Sequence, residues 1–176
     1  MKSLKIKLDS YCFLKLSSLL VLFLFFLSFA VERPLLTVTG VCAENSKPVA
    51  GVTAAIMVDG GVLTQCETGA DGIYKLKVNF GKLVKLTFDK KGYLPQTVKL
   101  RTLIIGQSEK EMTANYNFEM ISLPSDTSSI RFEKSVDEIM YDDVVNAFVS
   151  NTEYKERVKS DFDMVKKLIQ EQKMPK

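Results

Sequence analysis

The sequence predicts a mainly β protein, a seven-stranded antiparallel β-sandwich with a C-terminal α-helical extension. Three observations predict it. From Leu36 to Leu123 apolar and polar residues alternate with a period of two, the mark of half-buried strands. Gly, Asn, Asp and Pro interrupt that alternation at intervals of about ten residues, as the turns between short antiparallel strands do. Beyond Pro124 the apolar spacing lengthens to about 3.6, which is helical.

The chain begins with a basic, then apolar, leader. Lys2, Lys5 and Lys7 precede the apolar run Leu16 to Ala30, which ends in Ser28-Phe29-Ala30. Small residues at the positions a signal peptidase inspects complete the layout of a secretory signal over 1–30. The run is shorter than the roughly 20 residues a spanning helix needs, so cleavage is expected and no membrane span remains afterwards. Four of the 24 basic and one of the 21 acidic residues lie in that leader, leaving 20 of each. A neutral chain lacks the electrostatic footprint of a nucleic-acid binder. The address is exported, either periplasm or cell surface. Cys42 and Cys66 then form an even pair in an oxidising compartment, where a disulfide is permitted. Two separate thiols packed as small hydrophobes satisfy the same pattern.

The strands follow in order over a sandwich domain of 31–123. Thr37 to Glu44 and Gly51 to Val58 are rich in Val, Thr and Ile, and Asn45-Ser46-Lys47-Pro48 separates them with turn-forming residues. Asp59-Gly60-Gly61 closes the second, and Val62 to Glu67 makes a third. Tyr74, Leu76, Val78 and Phe80 face one way in the fourth, with Lys75, Lys77 and Asn79 facing the other. A turn at Gly81-Lys82 leads to Leu83 to Asp89, and these two strands are expected to form a hairpin. Thr97 to Arg101 and Tyr116 to Met120 supply the last two. The segment Thr97 to Arg101, before a loosely patterned loop, is the expected site of an exposed sheet edge open to strand addition.

Four runs in this stretch carry a family resemblance. They are Val38-Thr39-Gly40-Val41-Cys42-Ala43-Glu44, Lys47-Pro48-Val49-Ala50-Gly51-Val52, Thr68-Gly69-Ala70-Asp71-Gly72-Ile73-Tyr74 and Lys91-Gly92-Tyr93. In that order they resemble the carboxypeptidase regulatory-like domain, here in a secreted bacterial envelope protein. The resemblance covers residues 36 to 101 and implies an Ig-like, prealbumin-like (transthyretin-like) sandwich. It implies no particular function, because such domains serve as scaffolds in envelope proteins, receptor plugs and enzyme appendages. Each motif residue also has its own structural reason: Pro48 and Gly51 bracket a turn, and Asp71-Gly72 is a turn pair. The family pattern has a second acidic residue where this chain has Gly69, which argues against a calcium site on Asp71.

Residues 124–133 read as a polar hinge and 134–176 as a helical tail. Ser135-Val136-Asp137-Glu138 matches a capping box, with Ile139, Val144, Val145 and Phe148 as one apolar side, although Asp142-Asp143 fits a turn equally well. Asn151 or Thr152 can cap a longer helix, along which Tyr154, Val158, Phe162, Val165 and Ile169 recur every three or four residues. Such a stripe either packs on its own sandwich or docks onto a partner with Tyr154, Phe162 and Ile169 as anchors.

The chemistry-bearing residues exclude more than they assign. The chain has no His and no Trp, so the commonest general base and metal ligand is missing. No metal, cofactor or catalytic residue is expected, and the chain is expected not to be an enzyme. Asp142 and Asp143 are neighbours and point to different sides in a helix or strand. The expected role is a non-catalytic envelope scaffold that engages an envelope protein partner through its tail. The alternative is a carbohydrate-binding module contacting polysaccharide, for which Tyr93, near a loop, is the candidate platform.

Overall fold

A computed structural model describes residues 35–103, 111–124 and 130–173. The expected leader, 1–30, lies outside the described residues, as do 125–129 of the expected hinge. Among the described residues eleven strands and a helix follow in chain order: β1 (Leu35–Glu44), β2 (Lys47–Pro48), β3 (Thr53–Val58), β4 (Gly61–Glu67), β5 (Ile73–Asn79), β6 (Leu83–Asp89), β7 (Gln96–Arg101), β8 (Met112–Asn115), β9 (Phe118–Glu119), β10 (Asp137–Asp142), β11 (Ala147–Ser150) and α1 (Thr152–Lys173). The protein is mainly β, with two mixed sheets and a C-terminal helix.

β1 organises the first sheet. Its alternation buries Leu36, Val38 and Cys42 and turns Thr37 and Thr39 outward. Antiparallel β5 pairs along one edge of β1, so β8, which pairs in parallel with Leu36 to Thr39 of the same stretch, occupies the other, and β9 pairs in parallel farther along β1, at Cys42 and Ala43. β2 folds back on the end of β1 through Asn45-Ser46, whose φ angles are 49° and 64°. Both positive values belong to the tight two-residue turn that matches strand twist. The second sheet runs β11-β10-β7-β6-β3-β4. Its neighbours are antiparallel except β7 and β10, which are parallel.

The core lies between the sheets. Tyr74 from the first meets Phe88 from the second edge to face at 5.2 Å, and Phe88 stacks on Phe118 at 3.9 Å. Aromatic pairs of this kind add about 0.5–1.5 kcal/mol beyond their buried area. Thr68 and Thr102, both buried, tie the crossings between sheets. The Thr68 hydroxyl donates to the Val49 carbonyl and accepts from the Val52 amide, and Thr102 bonds both ways with Lys82.

Four expectations change. Where seven strands were expected the described residues hold eleven, and three parallel pairings, β1 with β8, β1 with β9 and β7 with β10, replace a purely antiparallel arrangement. The chain crosses between sheets after β7 and again before β10, so it arrives beside its partner strands running the same way. β5 and β6 are not a hairpin: they sit in different sheets, and Gly81 (φ 89°) turns the chain from one to the other. Both strands bury one face, so the same alternation serves a crossing as well as a hairpin. The segment from Ser135 to Phe148 is not a helix but the β10–β11 hairpin. Ile139 and Phe148 are buried, whereas Val144, 94% exposed, and Val145 occupy the turn that Asp142 holds by accepting both their amides. Finally, β7 is no edge, because β10 covers it.

Gly40 shows how tightly the first sheet closes. A Cβ there would stand 1.9 Å from the Tyr116 carbonyl oxygen, a backbone atom that accepts the Tyr74 hydroxyl at 2.6 Å. Gly40→Ala is therefore expected to lower the unfolding free energy by about 3 kcal/mol or more. Chemical denaturation measures it, and a variant within 1 kcal/mol of the parent, about the ordinary cost of a mutation, contradicts this close approach.

Candidate functional site

The most elaborate side-chain chemistry gathers where β10 begins and α1 leaves the sheet. Asp137 and Glu138 are consecutive strand residues, so they take opposite faces. Asp137 points inward beside Val98, and Glu138 points outward beside Lys99. The Asp137 carboxylate, 0% exposed, accepts from the Ser150 hydroxyl at 2.7 Å, the Tyr116 hydroxyl at 3.1 Å and the Glu138 amide at 2.7 Å. It also pairs with the Lys155 ammonium at 3.1 Å. Burial, and then the neighbouring Asp137 charge, raise the Tyr116 phenol well above its ordinary range.

On the outer face, Glu138 accepts from Arg101 and from the Asn151 side chain, each at 2.8 Å. The bond from Arg101 holds its carboxyl below the usual range, against a smaller opposing effect of burial. Asn151 caps α1 by accepting the Tyr154 amide, and its own amide donates to the Glu138 carbonyl. The paired acids thus fasten the helix start to the sheet from both sides. Among the described residues no buried side-chain polar atom lacks a partner, so this cluster holds shape and leaves no buried group poised for a ligand.

α1 then lies along the chain that precedes it. Its Val158 and Ile169 are buried, Phe162 meets Phe132 at 5.1 Å, and the Lys173 ammonium donates to Ser122 at 2.8 Å. The apolar stripe therefore serves the protein's own fold. Ile169, 1% exposed, is withdrawn as a partner anchor. Phe162 is half-buried and lines a cleft of about 470 Å³ between α1 and the 116–119 segment. Charges along that cleft are paired locally, Lys155 with Asp137 and Lys166 with Asp163. Tyr154 remains half-exposed on the outer side, with Lys99 Nζ 4.7 Å and the Arg157 guanidinium carbon 5.6 Å from its ring centre.

Tyr93 lines a second hollow of about 440 Å³ with Glu44, Lys47 and Lys90. Its ring is half-buried, its hydroxyl donates to Glu44 at 3.2 Å, and Lys90 Nζ lies 5.5 Å from its centre. Cys42 and Cys66 are free thiols on the inner faces of different sheets. Burial, with a lesser effect of Cys66, pushes the Cys42 thiol up to about 12.

Sequence reasoning missed Asp137 and Glu138 as a fastening pair and the lysines Lys85 and Lys99 as cross-strand neighbours. The first is hidden because Asp137-Glu138-Ile139-Met140-Tyr141 shows no alternation of polarity that would mark a strand. The second depends on register between strands, which no local pattern encodes.

No family model matches the chain, and no curated protein matches it. Among solved structures it is similar to 3-chlorocatechol 1,2-dioxygenase from Rhodococcus opacus 1CP, at 11% identity and a TM-score of 0.41 over 53% of this chain and 62% of that one. It is also similar to the dioxygenase domain of a dioxygenase carbohydrate-binding protein fusion from the cellulolytic bacterium Streptomyces sp. SirexAA-E, at 16% identity and a TM-score of 0.40 over 53% of this chain and 84% of that one. The expectation that the chain is not an enzyme is corrected here: both similar structures are dioxygenases, so the exclusion is withdrawn. At these TM-scores the likeness assigns no activity to this chain.

Proposed function

We propose that this is an exported envelope protein, in the periplasm or at the cell surface, whose sandwich is a scaffold for protein–protein interaction or structural assembly. The same reading takes the sandwich as Ig-like, of the prealbumin type, and its motifs as those of a carboxypeptidase regulatory-like domain. One observation carries the interaction role: β4 ends the second sheet with no strand beyond it among the described residues. Its Val62 and Leu63 are 56% and 53% exposed. Natural edges are ordinarily blunted with Lys, Pro or inward charge. β4, Gly-Val-Leu-Thr-Gln-Cys-Glu, has neither Lys nor Pro, and its ladder with β3 is irregular only at Ile56/Met57. An extended segment of another protein can add there, with main-chain bonds giving affinity and Val62 and Leu63 giving side-chain contact. The polysaccharide alternative has less support, because the Tyr93 hydroxyl and ring are already engaged by Glu44 and Lys90.

The test is affinity capture from native envelope extract with the mature chain and a Leu63→Lys variant, a charge placed on the edge. Stoichiometric recovery of one protein by the parent, and its loss with the variant at unchanged thermal stability, is the expected result. Equal recovery by both removes β4 from the interaction. Recovery of nothing by either overturns the scaffold reading.

A further inference from the structure

The outer face of the second sheet carries an arrangement of charge that the fold itself does not explain. Lys85 on β6 and Lys99 on β7 are directly opposite in the register, which places their Cβ atoms about 4.5–5.5 Å apart, and like charges so placed destabilise a sheet. Arg101 follows two residues after Lys99 and so shares its face. Arg157, from the first turns of α1, reaches the same place by lying against the Tyr154 ring that Lys99 also covers. Two cations thus lie against one tyrosine, and Lys85 and Arg101 share the sheet face of the first of them. The carboxylate fastened among them is Glu138, and both its oxygens are taken, one by Arg101 and the other by Asn151. Among the described residues Lys85, Lys99 and Arg157 form no ion pair within 4 Å, although Lys99 lies opposite Glu138 in the register and its charge acts on that carboxyl. Asp89 shares the face of Lys85 but lies four residues along β6, beyond the span of a direct pair. The basic cluster stands out because the chain beyond its leader holds equal numbers of basic and acidic residues.

We infer that this face, Lys85, Lys99 and Arg101 on the sheet with Arg157 beside them, binds the carboxylates of an acidic segment of a partner protein. The inference rests on the scaffold reading above and names the chemistry of a partner, at a surface distinct from the β4 edge. An acidic peptide supplies several carboxylates at strand-like spacing and relieves the repulsion between Lys85 and Lys99. A sugar polymer fits less well, because cations already lie against the Tyr154 ring it would need for stacking. A nucleic acid wants a longer basic track than four groups in a neutral chain.

The probe is a labelled hexaglutamate peptide, titrated into the protein by fluorescence anisotropy at low and at high salt. Binding at low salt that weakens with added salt is expected, since exposed charges are screened over about 10 Å at 0.1 M. The double variant Lys85→Gln/Lys99→Gln is expected to bind about tenfold or more weakly, about 1.4 kcal/mol or more. Lys75→Gln/Lys77→Gln, on the other sheet, is expected to bind like the parent. Absence of binding by the parent, or equal binding by the first double variant, overturns the inference. Tighter binding of a sulfated polysaccharide than of hexaglutamate overturns the assigned class of partner. Stability gives a second readout: Lys85→Gln is expected to melt at a higher temperature than the parent at low salt, and a lower melting temperature contradicts the repulsion. If hexaglutamate fails to bind while extract capture still recovers a partner through β4, this inference falls and the scaffold reading stands. If the peptide binds and capture recovers nothing, the scaffold reading falls first.

Discussion

Asp137→Ala is expected to lower the unfolding free energy by about 3–5 kcal/mol, the cost of breaking a buried charged pair from one side. The reason is the number of groups that depend on one carboxylate. Its removal leaves the Tyr116 hydroxyl without its acceptor in a buried setting, frees Ser150 and the Glu138 amide, and strands the Lys155 ammonium at the mouth of the cleft. Each unsatisfied buried polar group costs about 1–3 kcal/mol. Lys155→Met is the informative comparison. Its side chain is half-exposed, so it returns to water cheaply, and its loss is expected to cost about 1 kcal/mol. Urea denaturation of both variants measures the two values. If Asp137→Ala costs no more than Lys155→Met, the carboxylate is not the hub of the network. Because the same residue fastens β10, β11 and α1, the variant is also expected to lose protection of α1 amides from hydrogen exchange before those of β3 and β6.

The parts of the fold that were legible from sequence are those set by local pattern. β5 and β6 alternate cleanly because each buries one face, and α1 is recognisable because Asn151 caps it and Val158 and Ile169 repeat at helical spacing. What a single strand cannot show is which sheet it joins. Leu83 to Asp89 reads the same whether it pairs back on β5 or crosses to β3 and β7, and the choice depends on Thr102 holding the Gly81-Lys82 corner from twenty residues away. The segment around Asp137 was misread for a related reason. Ser-Val-Asp-Glu suits a helix start by composition, yet here the acids serve a strand, and their partners Tyr116, Arg101 and Ser150 are distant in sequence. The Tyr154, Phe162 and Ile169 stripe was visible, but its destination was not, because a helix face carries no mark distinguishing its own sandwich from another protein.

Alkaline pH is expected to unfold this protein through groups that the folded state keeps protonated. In the unfolded chain Cys42 ionises around 9.0 and the tyrosines around 10.0. In the folded protein burial, reinforced by Cys66, raises Cys42 to about 12. Burial raises Tyr74 and Tyr116 further, with the charges of Cys42 and Asp137 respectively adding to it. Above 9.0 the unfolded state therefore binds fewer protons than the folded one, and stability falls as pH rises. Below 9.0 all three groups are protonated in both states and the contribution is complete. One withheld ionisation costs about 1.4 kcal/mol per pH unit, so three acting together cost about 4 kcal/mol per unit above pH 10. A domain stable by about 5–15 kcal/mol loses that reserve within a few units. Denaturant titrations at stepped pH, read beside tyrosinate absorbance, provide the measurement. Unfolding and the ionisation of Tyr74 and Tyr116 are expected to coincide. Ionisation of every tyrosine in the still-folded protein would falsify this account, since it would mean that the core admits phenolate at no cost. Tyr116→Phe separates the contributions: it removes one titrating group, so the slope of stability against pH is expected to fall by about a third, even as the lost bond to Asp137 lowers stability at neutral pH.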